Sequence, residues 1–188
     1  MPLNVPNLVT WLRISLIPLL IAIFYLPDAW LSPNAKNVSA CAVFVVAALS
    51  DWLDGYLARA LKQTSAFGAF LDPVADKLIV AAALIVLLAL GRVEPVVALI
   101  IIGREIAISA LREWMARLGQ SASVAVAYVG KVKTASQMVA IPLLLFHGDV
   151  LGLFNAHWLG TILIYVAAVL TVVSMVHYLR RALPHAMR

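Results

Sequence analysis

The sequence predicts an all-α integral membrane protein with six transmembrane helices, and three observations carry that prediction. Hydrophobic residues make up 64% of the 188 and charged residues only 12%, against about 25% charged in an ordinary soluble domain. Mean hydropathy is +1.00, and a water-soluble core of this size could not hide so much apolar surface. The apolar residues also fall into six runs, each near the ~20 residues that an α-helix needs to cross ~30 Å of hydrocarbon. Residues 1–188 read as one transmembrane domain.

The first helix is expected over 7–25, ending at the Leu26-Pro27-Asp28 break. The second covers 38–61. The third starts near 67 and continues through Lys77 to 90, where Gly91 closes it. The fourth spans 95–118 and is closed by Gly119. The fifth covers 131–146 and precedes a His147-Gly148-Asp149 turn, and the last runs over 154–183 and stops before Pro184. Connections are short except for 119–130, a Gly/Ser/Ala stretch that reads as an interfacial loop. There is no internal repeat or low-complexity segment.

The first seven residues lack the basic start of a cleaved signal peptide, so the first helix is read as retained. Cys41 is the single cysteine, which excludes an intrachain disulfide. The formal charge of +5 does not mark a nucleic-acid binder, because the basic residues sit at the ends of apolar segments rather than in an aromatic-interleaved patch. They set topology instead. With the N-terminus inside, the inner loops and tail hold Arg59, Lys62, Arg112, Arg117, Lys131, Lys133, Arg180, Arg181 and Arg188. The outer loops hold only Lys36 and Arg92. Both termini are therefore expected in the cytoplasm. Trp30, Trp114 and Trp158 fit interfacial belts. The scattered His147, His157, His177 and His185 read as incidental rather than as ligands.

Four of the nine acidic residues, Asp51, Asp54, Asp72 and Asp76, fall within 26 positions of this apolar chain. Each would cost about 2.5–3.5 kcal/mol at the centre of a membrane helix, so such a cluster reads as a functional site. Two like charges at ~4 Å repel by about 4 kcal/mol at an effective dielectric of 20, so a positive group is required among them. Residues three or four apart share a helix face. That puts Asp51 and Asp54 together, with Gly55 and Ala58 along the same stripe, and repeats the arrangement with Gly68, Asp72 and Asp76. The short 59–67 connection makes the two helices antiparallel neighbours, so their acidic ends converge at the cytoplasmic ends of helices 2 and 3.

Hard carboxylate oxygens suit Mg²⁺, Mn²⁺ or Ca²⁺ better than zinc. Four exceed what one Mg²⁺ usually takes, which implies two ions, or one ion and a free base able to assist an in-line displacement at a diphosphate. Gly55, Ala58 and Gly68 leave the helix surface bare for a bulky polar group, and Arg59 adds a cation suited to phosphate. Pro73 leaves the carbonyl of Ala69 without its helical donor and should bend the third helix beside the acids. A lone Asp at a membrane edge would be a solvated helix end; four at helical spacing with small residues between them are not.

At these residues the chain resembles the CDP-alcohol phosphotransferase family, whose signature is D-x2-D-G-x2-A-R-x8-G-x3-D-x3-D. Every fixed position matches: Asp51, Asp54, Gly55, Ala58, Arg59, Gly68, Asp72 and Asp76. The resemblance implies a dimeric, multi-pass enzyme of the bacterial inner membrane that uses a CDP-linked lipid donor and one or two Mg²⁺ or Mn²⁺ ions. It implies that Asp51, Asp54, Asp72 and Asp76 carry the metal and that Asp76 is the base. Asp51, Gly55, Ala58, Arg59, Gly68 and Asp72 would bind the cytidine diphosphate.

The segments Asn4-Val5-Pro6-Asn7-Leu8-Val9-Thr10, Gly103-Arg104-Glu105 and Gly130-Lys131-Val132-Lys133-Thr134 are similar to the branch of that family that joins CDP-diacylglycerol and sn-glycerol 3-phosphate. Arg104 and Arg112 lie eight apart on one face of the fourth helix, and Lys131 and Lys133 flank the start of the fifth. Together they form a cationic pocket for the acceptor's phosphate. Arg104 stands mid-segment, and because adjacent helix positions point apart, Glu105 is not expected to neutralise it, so Arg104 should face the ligand. Arg13 faces the same choice between ligand and anchor, while Arg117 and the tail arginines read as topological anchors. Another acceptor, such as inositol phosphate, serine or phosphatidylglycerol, would share the Asp signature. A divalent-cation transporter would need acids near the midplane on a path open to both sides, whereas here they gather at one face.

Overall fold

Six α-helices account for most of the chain in the computed structural model, which describes residues 5–61, 66–117, 128–150, 152 and 154–186. They are α1 (Val5–Tyr25), α2 (Pro33–Leu61), α3 (Ala66–Ala89), α4 (Pro95–Arg117), α5 (Tyr128–Phe146) and α6 (Ala156–Ala186). The shortest, α5, has 19 residues, about 28 Å at 1.5 Å per residue. Among the described residues, α1 (Leu8–Tyr25) and α6 (Ala156–Arg180) hold stretches long and apolar enough to cross a membrane, and α5 holds a shorter one, Val132–Phe146.

Several boundaries differ from the sequence reading for local reasons. α2 begins five residues early, because Ser32 caps it: the Ala35 amide donates to Ser32 Oγ at 3.3 Å, and Pro33 takes the first helical position, where its missing N–H costs nothing. α1 starts at Val5 and α5 at Tyr128, so 128–130 is helical and not loop; the rest of the expected interfacial loop lies outside the described residues. α6 starts two residues late, where Asn155 Oδ1 accepts from the Trp158 amide at 3.1 Å. It also runs through Pro184 to Ala186; in a last turn the ring removes only one hydrogen bond. The expected turn after α5 contains a two-residue antiparallel ladder, β1 (Asp149–Val150) with β2 (Phe154–Asn155). α3 continues through Pro73.

The helices pack through small residues. Ala40, Ala47, Ala75, Ala83, Ala140 and Ala167 are wholly buried, beside Leu20, Phe44, Leu84, Leu87, Ile141 and Leu144. Close backbone approach through small side chains is the packing mode of helices in lipid, where apolar burial supplies little drive. The longest seam joins α5 to α6, and α1 packs on α2 and α3. At Gly160 a Cβ would stand 2.9 Å from Leu144 Cγ and 3.2 Å from the Ala140 carbonyl, so α6 lies on α5 there with no room for a methyl. Leucine, valine and isoleucine side chains such as Leu49, Ile85, Leu99, Ile106 and Val169 face outward. An exterior so apolar matches a lipid environment.

The end opposite the acidic signature is tied by Arg92. Gly91, at φ 67°, closes α3 in a Schellman turn: its amide donates to Leu88 O at 3.0 Å, and the Arg92 amide to Leu87 O at 2.8 Å. The Arg92 guanidinium then donates to the carbonyls of Leu144 and Leu145 at 3.1 and 2.9 Å and to Asn37 Oδ1 at 2.8 Å. One cation thus caps α5 and joins it to α2 and the α3–α4 turn. Nearby, the rings of His147 and His157 meet edge to face at 4.5 Å.

Candidate active site

One face of α1 meets the acids of α2 and α3. Thr10 and Arg13 are three apart, hence on one side of α1, and both are buried, Arg13 completely. Thr10 Oγ1 donates to Asp72 Oδ1 at 2.6 Å, and Arg13 Nη1 donates to Asp51 Oδ1 at 2.9 Å. Asp51 keeps 48% of its side chain exposed while its partner has none. Among the described residues, Arg13 is a positive group of the kind that the acid cluster demanded. Its signal in the sequence is an arginine inside the first apolar helix.

Asp72 and Asp76 are half-buried one turn apart on α3, and Gly68 before them is buried. Asp76 lies within electrostatic reach of Asp51, Arg13, Lys77 and Glu105, so α1, α2, α3 and α4 converge around it. α2 is helical throughout 51–61, which keeps Asp51, Asp54, Gly55 and Ala58 in helical spacing. The side chains of Asp54, Gly55, Ala58, Arg59 and Lys131 lie outside the described residues.

On the other side of Asp76 a second cluster is built on Glu105. It accepts from the buried ammonium of Lys133 on α5 and, at 3.1 Å, from Arg104 Nη1. Arg104 Nη2 also donates to Ser174 Oγ on α6 at 3.2 Å. The expectation that neighbours on a helix cannot pair is corrected here: the long arginine arm bends back over the ~100° that separates adjacent residues. Arg104 and Arg112 do share a face, as their spacing implied. Both guanidiniums lie over the Tyr178 ring, at 5.8 and 5.6 Å from its centroid, and Arg112 Nη2 stands 3.4 Å from the Tyr178 hydroxyl.

Between α3, α4 and α5 lies a cavity of about 60 Å³ whose polar walls are Asp76, Lys77, Glu105, Lys133, Thr134 and Gln137. Of the four basic residues expected to form a phosphate pocket, Lys133 borders this cavity. Arg104 acts behind it, through Glu105. Arg112 is exposed on α4. Sequence reasoning did not single out Thr10, Ser174, Tyr178 or Gln137. Gln137 had a visible signal, since it stands four residues from Lys133 on the same helix face.

With this geometry in place, residues 3–173 match the sequence profile of the CDP-alcohol phosphatidyltransferase family. The chain belongs to that family. It is similar to the CDP-diacylglycerol--glycerol-3-phosphate 3-phosphatidyltransferase of Salmonella choleraesuis (strain SC-B67), 49% identical over 184 residues, or 97% of this chain and 96% of the relative. Proteins of the same name from Shigella flexneri serotype 5b (strain 8401) and Escherichia coli (strain K12) are each 48% identical over the same shares.

For a CDP-alcohol phosphatidyltransferase the donor chemistry of the signature fits a divalent ion: the groups are carboxylates, hard and anionic, and Asp51 is open to solvent. Among the described residues no three such groups gather closely enough to hold an ion by themselves. The fourth member of the signature, Asp54, lies outside that set.

Proposed function

We propose that the chain transfers the phosphatidyl group of CDP-diacylglycerol to the primary hydroxyl of sn-glycerol 3-phosphate, giving phosphatidylglycerophosphate and CMP for phospholipid synthesis. The observation that carries this reading is the juxtaposition of two clusters across Asp76: the Arg13- and Thr10-bound carboxylates on one side, and the Glu105–Lys133 cavity on the other.

The acceptor's hydroxyl oxygen bonds to the lipid-side phosphorus, and the phosphoanhydride bond breaks with its electron pair leaving on CMP. Asp76 takes the hydroxyl proton. Asp51 and Asp72, with Gly55, Ala58, Arg59 and the buried Gly68, hold the cytidine diphosphate. When bound, one or two Mg²⁺ or Mn²⁺ ions on Asp51, Asp54, Asp72 and Asp76 offset charge on the diphosphate. Lys133 meets the acceptor's phosphate, its ammonium aimed by Glu105, which Arg104 holds in turn, and Arg112 and Lys131 add positive charge for the same phosphate. The donor's acyl chains lie along the open apolar face of α1, at Leu8, Trp11 and Leu12.

The same reading sets all six helices across a bacterial inner membrane, with both termini and the site facing the cytoplasm, where the water-soluble substrates are. A homodimer is part of it, by family resemblance. The test supplies radiolabelled sn-glycerol 3-phosphate, CDP-diacylglycerol and Mg²⁺ to the purified protein in lipid vesicles. A labelled lipid formed in step with CMP is the expected result. Absence of labelled lipid overturns the reading, and labelled lipid formed in a parallel assay with labelled serine or inositol phosphate instead reassigns the acceptor.

A further inference from the structure

The cavity beside Asp76 has one wall, at Gln137, to which the transfer reaction gives no role. Glu105 and Lys133 are joined to each other. Gln137 is only 4% exposed, and its Oε1 has no hydrogen-bond partner among the described residues. A buried amide oxygen without a donor is unfavourable, and such groups are rare without a water or ligand to serve them. Gln137 shares its helix face with Lys133, and the space of about 60 Å³ before it holds more than one water-sized group.

We propose that Gln137 is the residue that reads the acceptor's secondary hydroxyl, a role that rests on the transfer reaction proposed above. Lys133 holds the phosphate end and Asp76 faces the primary hydroxyl at the other. The carbon between them carries the 2-hydroxyl, whose proton is donated to Gln137 Oε1. The residue thereby selects a three-carbon phosphate bearing a hydroxyl at its middle carbon over one that lacks it.

The experiment compares sn-glycerol 3-phosphate with 3-hydroxypropyl phosphate, which keeps the primary hydroxyl and the phosphate and omits the 2-hydroxyl. The ratio of the two kcat/KM values is taken within one preparation, so the fraction of folded enzyme cancels. The native chain prefers glycerol phosphate by about ten- to a hundred-fold, the range set by one lost hydrogen bond to a buried group. In Gln137→Leu, and in Gln137→Met, which retains the volume should the first fold poorly, the preference collapses to within about threefold. An unchanged ratio in both variants, with both acceptors slowed equally, overturns the role of Gln137 while leaving the reaction standing. A native chain that transfers to neither acceptor overturns the reaction itself, and this role with it.

Discussion

Arg13 and Asp51 meet at 2.9 Å although 38 residues separate them, and the pair joins the buried face of α1 to the acidic end of α2. Its asymmetry sets its energetics. Arg13 is fully desolvated, whereas Asp51 keeps about half its contact with solvent.

Replacing the cation, in Arg13→Gln, leaves the carboxylates repelling one another without compensation. A fully buried pair broken on one side costs about 3–5 kcal/mol; the exposure of Asp51 reduces this to about 1–3 kcal/mol. Turnover should fall at least about tenfold, the thermal midpoint should drop, and Arg13→Lys should recover part of both. Native turnover and stability in the Gln variant would contradict the assignment.

The Thr10–Asp72 bond at 2.6 Å joins a neutral donor to a carboxylate, the stronger class of hydrogen bond, worth about 1.5–3 kcal/mol. Thr10→Val keeps the shape and removes the donor. We expect kcat to fall about tenfold, with Thr10→Ser close to native. Equal rates in the Val and Ser variants would show that the hydroxyl does not orient Asp72.

Asp76→Asn removes the proton acceptor and little volume. General-base catalysis contributes about 10²–10⁴-fold, so CMP release should fall by that factor while donor binding persists. Near-native CMP release would falsify the role of Asp76.

Arg92 supports the other end of the bundle, with three hydrogen bonds from one guanidinium to α5 and α2. Arg92→Ala strands the Leu144 and Leu145 carbonyls and should lower stability by about 2–3 kcal/mol. The rate per folded molecule should be unchanged, because the residue stands beyond the end of α3 that lies away from Asp76. A stable but inactive variant would mean that the two ends are coupled.

His147 gives a pH dependence of definite sign. It sits in the turn after α5, and partial burial, then the neighbouring Arg92 and His157, hold its imidazole below the usual value of 6.5. Between the depressed folded pKa and the unfolded value, the unfolded chain binds more protons, so stability rises with pH through that window. Acidification below 6.5 should lower the thermal midpoint. His147→Asn, which tolerates the same positive φ of 52°, should reduce that slope. A difference between native and variant midpoints that stays constant with pH would rule this out.

What the sequence made legible was local. The six apolar runs and the spacing of Asp51, Asp54, Asp72 and Asp76 are periodic features of single helices, and the helices appear where those periods lie. Cap chemistry at Ser32-Pro33 was equally local and went unread. The partnerships of Arg13 with Asp51, Arg92 with the end of α5, and Lys133 with Glu105 depend on which helices become neighbours, and no window of sequence contains that. Arg104 illustrates the opposite error. Its pairing with Glu105 was dismissed on helix geometry that describes Cβ directions, whereas a guanidinium acts from the far end of a flexible arm.

The Arg13–Asp51 pair also bears on how the chain is made. Synthesis runs from the N-terminus at about 5–20 residues per second, so Arg13 precedes Asp51 by ~2–8 s. The first carboxylate of the signature is made with its counter-ion already waiting on α1. Glu105 emerges beside Arg104 in adjacent positions, and Lys133 joins them only 28 residues later. For Asp51 and for Glu105 alike, a first cation, Arg13 or Arg104, precedes the anion in the chain, and Lys133 adds a second to Glu105. The growing chain is thus spared an unpaired carboxylate at these two points, because a positive side chain has already been made for each to meet.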